Sequence, residues 1–121
     1  MPYEIANAEH LAMSDSVGMI NLSHFPIMDI KGPDAERMLE YLSVAKVGSN
    51  TPEGKVIYTN FLDEDGGVHA DLTISRLGTD SYRIVTGGAD GNRDWVLLRN
   101  YRDDNGLNAV SYTHLTLPTK A

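Results

Sequence analysis

Cysteine and long apolar runs are both missing from this chain, and each absence removes a class of protein. Without cysteine there is neither a disulfide framework nor a thiolate metal site, and this composition suits a reducing compartment. The apolar runs are only a few residues long, too short for a secretory signal or a membrane-spanning helix. We therefore expect a cytoplasmic protein with no membrane partner.

Positive charge is also scarce. The chain has 10 Lys and Arg against 17 Asp and Glu, so its formal net charge is −7, and it contains no basic run. This balance opposes attraction to nucleic-acid phosphates and anionic lipid, so we expect no nucleic-acid partner. The 121 residues, 41% of them hydrophobic, are enough for one domain with a modest core.

Turn signals and apolar periods predict an α+β fold. Helices are predicted over residues 8–17, from Pro33 to about residue 44, and around Trp95, Leu98 and Tyr101; strands are predicted over 26–30, 55–62, 68–77 and 81–86. After the first short helix the order is β-α-β-β-β-α. This order predicts an antiparallel sheet with helices packed on one face.

The central hairpin is the part of the sequence that can carry chemistry. Asp65-Gly66 is a strong hairpin turn signal, and Val68, Ala70, Leu72 and Ile74 alternate with His69, Asp71, Thr73 and Ser75. The apolar set should face the core, so Asp71 should point the other way. An even loop puts Tyr58 on the face of Asp71, whereas we expect an odd loop with a bulge to put it on the opposite face. The alternative is that both side chains are merely solvated.

Two other signals have weaker spacing. His69 and Asp71 could share a metal ion, but no third ligand follows at a convincing distance, so we predict no metal site. The glycine-rich segment over 87–92 could offer backbone amides to an anion, or it could be a plain turn with Asp90 or Asn92 capping the next helix.

Four separated motifs resemble one known family. They are DSVGMINLSH at 15–24, IKGPDA at 30–35, Tyr58, and GGVHADL at 66–72, and they keep the order and approximate spacing of the aminomethyltransferase (glycine cleavage T-protein) folate-binding domain. The stretch at 70–77, ADLTISRL, is closer to the branch fused to flavin-dependent dimethylglycine and sarcosine dehydrogenases. A free transferase is the alternative.

The resemblance implies one-carbon transfer to tetrahydrofolate. It implies that Asp71 is the catalytic carboxylate beside the reactive folate nitrogens, and that Tyr58, His24 and Phe25 contact the folate. It also implies a small amine-derived one-carbon donor and a lipoyl-bearing or flavin-dependent partner domain, with FAD held by a fused dehydrogenase domain and not by this chain. The rival interpretation is a non-catalytic folate-binding module of the same fold, acting in iron-sulfur assembly or as an interaction scaffold.

Some positions depart from the family pattern. Gly87-Gly88 stand where the family usually has asparagine, and the family's later glutamate and Gly-Leu-Gly-Ala-Arg-Asp motif are missing. We therefore expect residues 1–109 to be part of a folate-binding domain truncated at both ends and inactive alone. Residues 110–121 resemble a translated sequencing adaptor and are predicted to be a non-native tail; a genuine final strand is the alternative.

Overall fold

The computed structural model describes residues 2–87 and 91–113 as an α+β domain, which confirms the predicted class. Its elements are α1 (Pro2–Asp15), β1 (Ile27–Lys31), α2 (Ala35–Leu42), β2 (Val56–Leu62), β3 (Val68–Gly78), β4 (Ser81–Thr86), α3 (Gly91–Asp104) and β5 (Val110–Thr113). The predicted order β-α-β-β-β-α runs from β1 to α3. Helix α1 precedes it, and β5 follows it.

The strands form one sheet in the order β2-β3-β4-β1-β5, and every neighbouring pair is antiparallel. Alternate residues of the sheet face α2 and α3, so the helices cover one side, as predicted; we call this side the inner face and the opposite side the outer face. The side chains completely excluded from solvent include Met28, Ile30, Leu39, Phe61, Tyr82, Ile84 and Leu98. The core therefore lies between the inner face and the two helices.

Helix α2 has the predicted apolar stripe but is shorter than predicted. Ala35, Met38, Leu39 and Leu42 are all buried. The helix ends at Leu42 because Ser43 is extended and pairs with Phe61, and because the Val44 amide donates to the Asn60 carbonyl. The chain leaving α2 is thus held against β2.

The IKGPDA motif forms a turn that holds the chain leaving α3. Gly32 has a φ of +141°, and a Cβ there would lie 2.5 Å from the Asn108 carbonyl oxygen and 2.7 Å from the Ala109 Cα. The Asn108 amide donates to the Asp34 carboxylate at 2.6 Å, and the Asp34 amide donates back to the Asn108 carbonyl at 3.2 Å. Helix α2 begins at Ala35 and not at Pro33, because Asp34 bonds this segment and does not cap the helix.

Helix α1 covers Pro2–Asp15, earlier and longer than the predicted 8–17, and none of its residues is buried. Its apolar side chains Tyr3, Ile5, Leu11 and Met13 are exposed. Across the described residues, no helix has the length and apolar character needed to cross a membrane.

Strand β5 occupies the first part of the predicted tail. Lys31 pairs with Val110 and Met28 with Thr113, whereas residues 114–121 lie outside the described part of the chain. Pairing at an open sheet edge uses backbone groups, so a foreign segment of strand composition can add there as readily as a native one. The non-native origin of 110–121 stays a prediction.

Candidate functional site

Tyr58 and Asp71 share the outer face of the hairpin, as predicted for the two side chains. In the β2–β3 register Asn60 lies opposite Asp71, and Tyr58 lies opposite Thr73. Cross-strand partners and residues two apart lie on one face, so Tyr58 is displaced from Asp71 by one pair. Both side chains are exposed, and 70% of the Tyr58 side chain is open to solvent.

The route to this arrangement differs from the prediction. The loop over 63–67 is odd, with Leu62 opposite Val68, but the register shifts beside it so that Phe61 pairs with Ala70. We expected an odd loop with a bulge to separate Tyr58 from Asp71, and this is wrong. The odd loop displaces the register by one residue, and the extra residue His69 displaces it back.

Because of the same bulge, two predicted side-chain orientations are wrong. Val68 was expected in the core with Ala70, Leu72 and Ile74, but it is 65% exposed whereas those three are buried. His69 was expected to face outward with Asp71, but its ring lies against α3. Alternation therefore begins at Ala70, after the bulge, and not at Val68.

The turn itself is built by Asp63. Its Oδ1 accepts hydrogen bonds from the amides of Asp65 at 3.0 Å and Gly67 at 2.8 Å. Gly66 has a φ of +82°, a conformation that glycine adopts without the strain of a side chain. These contacts fix the loop length, and with it the register that places Asp71.

The Asp71 carboxylate is held by one neutral donor. The side-chain amide of Asn60 donates to Asp71 Oδ1. No other hydrogen bond or ion pair to this carboxylate comes from residues 2–87 or 91–113. Because the donor is uncharged, Asp71 keeps its negative charge uncompensated and directed at the space above the outer face.

His24 and Phe25 lie at the same end of the sheet as Asp71 but not against it. The Thr86 amide donates to the Pro26 carbonyl at 3.2 Å, so the register continues from β1 and sets Phe25 beside Gly87. On the other side of β4, Leu72 pairs with Thr86, which sets Asp71 beside Gly87. Phe25 and Asp71 are thus two strand spacings apart, about 10 Å.

The rings of His24 and Phe25 contact each other. Their centroids are 4.9 Å apart, and the ring planes are nearly perpendicular at 87°. Phe25 is half-buried, and His24 is exposed. Of the predicted site residues, the fold brings Tyr58 and Asp71 onto one face and sets the His24–Phe25 pair at the rim of that face.

A second pair beside the site was missed by the sequence analysis. His69 Nε2 lies 3.5 Å from Oδ1 of Asp94, a carboxylate that is fully buried in the first turn of α3. Arg93 donates to the His69 carbonyl at 2.5 Å. The sequence contained one sign that Asp94 is buried: it lies four residues before Leu98 and therefore on the apolar face of the helix. This pair joins the bulge of β3 to the start of α3.

A depression of about 230 Å³ lies where these elements meet, and its lining includes His69, Asp71, Gly87 and Asp94. A Cβ added at Gly87 would meet no atom of residues 2–87 or 91–113 within 4 Å, so these residues leave the space beside Asp71 open. The predicted capping residue Asp90 lies outside the described residues. Helix α3 starts close to Pro26: a Cβ on Gly91 would lie only 2.2 Å from the Pro26 Cγ, so only glycine fits there without a shift.

The outer face also carries an ion pair that the sequence did not reveal. Arg83 binds Asp29 in a bidentate manner, with Nε 2.8 Å from Oδ1 and Nη2 3.1 Å from Oδ2. The hydrogen bond and charge of Asp29 raise the pKa of Arg83 above its ordinary value. Asp29, Arg83 and Ser75 lie side by side across three neighbouring strands, next to the cross-strand row that contains Tyr58. Because the two charges of the ion pair cancel, this part of the face presents no net charge.

No cluster of three or more His, Asp or Glu side chains with metal-binding geometry occurs in the described ranges. The groups available to a ligand on the outer face are instead a carboxylate, a phenol and the open space at Gly87. The fold and site thus define a small α+β domain with an exposed carboxylate and an exposed phenol on one sheet face.

Comparison with known proteins gives the family. Residues 2–119 match the GCVT N-terminal domain family, and the chain therefore belongs to it. The aminomethyltransferase of Cupriavidus taiwanensis is 35% identical over 101 residues, covering 82% of this chain and 27% of that protein. The predicted resemblance is confirmed at the level of the family.

A solved structure shares the fold. The crystal structure of glycine cleavage system aminomethyltransferase T from Bartonella henselae superposes with a TM-score of 0.70 at 22% identity, over 76% of this chain and 25% of that one. The chain spans about a quarter of the length of both relatives.

Proposed function

We propose that this chain is part of a tetrahydrofolate-dependent aminomethyltransferase and that its outer sheet face forms part of the folate site. Membership of the GCVT N-terminal domain family and the similarity to an aminomethyltransferase support this role. The observation that carries the proposal is Asp71 itself, an exposed carboxylate oriented by Asn60 and set beside Tyr58.

The residues present fit such a ligand. Tetrahydrofolate, when bound, supplies the amine nitrogens that take up the one-carbon unit. Asp71 offers those nitrogens an acceptor, and Tyr58 offers an exposed ring beside it. The absence of a side chain at Gly87 leaves room for a planar group next to the carboxylate. His24 and Phe25 stand at the rim, where they would contact the ligand's edge.

The chemistry asked of Asp71 is orientation and charge stabilisation. A fixed carboxylate beside a nitrogen that becomes cationic lowers the energy of that charged state. Asn60 keeps one carboxylate oxygen in place, so the other is free to accept from the ligand. Asp71 need not remove a proton to do this.

The complete protein and its partners are also part of the proposal. The stretch at 70–77 favours the branch fused to dimethylglycine and sarcosine dehydrogenases, in which a flavin domain oxidises an N-methyl amine and this domain captures the carbon. A free transferase would instead receive its one-carbon unit from a lipoyl-bearing partner. Retention of Asp71 favours both over a non-catalytic folate-binding module.

Titration of the full-length protein with tetrahydrofolate by calorimetry tests the site. Tyr58→Ala should weaken binding by about tenfold, because an aromatic wall beside the ligand is lost. Tyr41→Ala is the matched control, since Tyr41 is 71% exposed and Tyr58 is 70% exposed but Tyr41 lies on the helical side. Equal affinity in both variants would remove Tyr58 from the folate site, and no binding by the unchanged protein would overturn the proposed function.

A further inference from the structure

A groove lies on the helical side of the molecule, between α2, α3 and the β2–β3 turn. Its volume is about 570 Å³. Tyr41 of α2 and Tyr101 of α3 stack along it, with ring centroids 4.6 Å apart and planes at 18°. Leu62 and Leu97 also line it. We call this feature the tyrosine groove; it faces away from the sheet surface that carries Asp71.

Tyr101 presents a neutral aromatic face. Burial, with a smaller contribution from Tyr41, raises the pKa of Tyr101, whereas Arg37 opposes the shift. Tyr41 is 71% exposed although its ring is stacked, so one of its faces is open. An open aromatic face attracts an ammonium or guanidinium group.

The charged side chains that line the groove are all acidic, and Arg37, which acts on Tyr101, is not among them. Asp63, Glu64 and Asp104 line it. Asp63 is engaged in the hairpin turn, but within residues 2–87 and 91–113 neither Glu64 nor Asp104 takes part in an ion pair. Asp104 is the last residue of α3, where the helix dipole already favours cations and disfavours a carboxylate. A positive partner would relieve this unfavourable placement.

We propose that the tyrosine groove is a docking site for a basic segment of a partner polypeptide. An arginine or lysine side chain would lie on the open face of Tyr41, and a neighbouring basic residue would pair with Glu64 or Asp104. Apolar residues between them would cover Leu62 and Leu97. The groove is too large for one ammonium group, and its apolar lining and separated carboxylates match a segment that alternates basic and apolar residues.

The test uses the 121-residue chain and an acetylated, amidated hexapeptide of alternating arginine and leucine. We expect saturable binding by calorimetry, NMR shifts at Tyr41 and Tyr101, and weaker binding at higher salt. Tyr41→Ala, and separately the double variant Glu64→Gln with Asp104→Asn, should each weaken binding by about tenfold. The matched control Tyr58→Ala should bind the peptide as tightly as the unchanged chain.

Several results would overturn the proposal. These are equal binding of a peptide with glutamine in place of arginine, undiminished binding by Tyr41→Ala, or no binding at all. Binding of tetramethylammonium but not the peptide would assign the groove to a small cation. Binding by the 121-residue chain but not by the full-length protein would assign it to another part of the same protein. Tyr41→Ala should leave folate-coupled transfer unchanged, so failure here is distinct from failure of the proposed function.

Discussion

Asn60 and Asp71 lie directly opposite each other on β2 and β3, and the Asn60 amide donates to the Asp71 carboxylate. The strand register therefore sets the orientation of the carboxylate that we propose to be catalytic. A shift of β3 by one residue would turn Asp71 to the core while Asn60 stayed on the outer face. The Asp63 turn and the His69 bulge together set this register, so both are needed to position Asp71.

Asn60→Ala in the full-length protein should reduce folate-coupled transfer several-fold, because Asp71 loses the donor that orients it. The free energy of unfolding should fall by about 1 kcal/mol, the usual net value of one hydrogen bond. Steady-state kinetics and urea unfolding measure the two effects. Asn50→Ala, at an exposed loop position, is the control and should change neither. Unchanged transfer in Asn60→Ala would show that Asp71 needs no orienting partner.

Gly32→Ala should destabilise the domain by about 3 kcal/mol or prevent folding, because the new Cβ would collide with the backbone of Asn108 and Ala109. Gly54→Ala is the matched control: Gly54 also has a positive φ, +86°, but a Cβ there meets no atom within 4 Å in the described part of the chain. It should lose only about 1 kcal/mol, the cost of the backbone conformation alone. Equal losses by urea unfolding would show that the close approach at Gly32 has no energetic weight.

Tyr82→Phe should leave stability unchanged or raise it by up to about 1 kcal/mol. The Tyr82 side chain is fully buried, and its hydroxyl has no hydrogen-bond partner among the described residues. Tyr82→Leu, which removes the ring, should instead lose about 2 kcal/mol through the cavity it leaves. If Tyr82→Phe lowers the free energy of unfolding by more than about 1.5 kcal/mol, the hydroxyl makes a stabilising hydrogen bond, which would contradict this prediction.

Stability should also fall in alkali, and less so in Tyr82→Phe. Burial raises the pKa of Tyr82 above its ordinary value of 10.0, with Arg76 opposing the shift. The unfolded chain therefore loses this proton at a lower pH than the folded chain does. The tighter binding of the Tyr82 proton by the folded chain contributes fully to the free energy of unfolding below about pH 10. This contribution is lost as the pH rises through the pKa of Tyr82 in the folded state. Thermal melts between pH 8 and pH 11 measure it, and parallel curves for the two proteins would contradict the assignment.

The proposal that residues 110–121 are a non-native tail predicts that the uninterrupted source gene diverges from this sequence after about residue 109. Sequencing through that point decides it. A gene that continues with the same residues would make β5 a native strand. Deleting 114–121 should leave the melting temperature nearly unchanged.

Much of the fold follows from local patterns in the sequence. The hairpin was predictable because Asp65-Gly66 and the alternation after Ala70 are local signals. The stripe on α2 was predictable for the same reason. Asp71 could be assigned to the outer face by periodicity alone, and the family resemblance points to the same residue.

The parts that escaped prediction depend on contacts distant in sequence. The bulge at His69 is stabilised by Asp94 and Arg93 of a later helix, and no local rule places it. The ion pair of Asp29 with Arg83 exists only once β1 and β4 are paired. The Asp34 carboxylate accepts a hydrogen bond from the amide of Asn108, which lies 74 residues later in the chain.

The central claim is that the Asp71 carboxylate acts in one-carbon transfer, and single-turnover transfer to tetrahydrofolate by full-length Asp71→Asn tests it most directly. The amide keeps the shape and removes the charge. We expect the rate to fall by about 100-fold or more while tetrahydrofolate affinity changes by less than about threefold. Asp65→Asn, the same change at the exposed hairpin turn, should retain the full rate. A rate in Asp71→Asn equal to that of the unchanged protein would remove Asp71 from the mechanism.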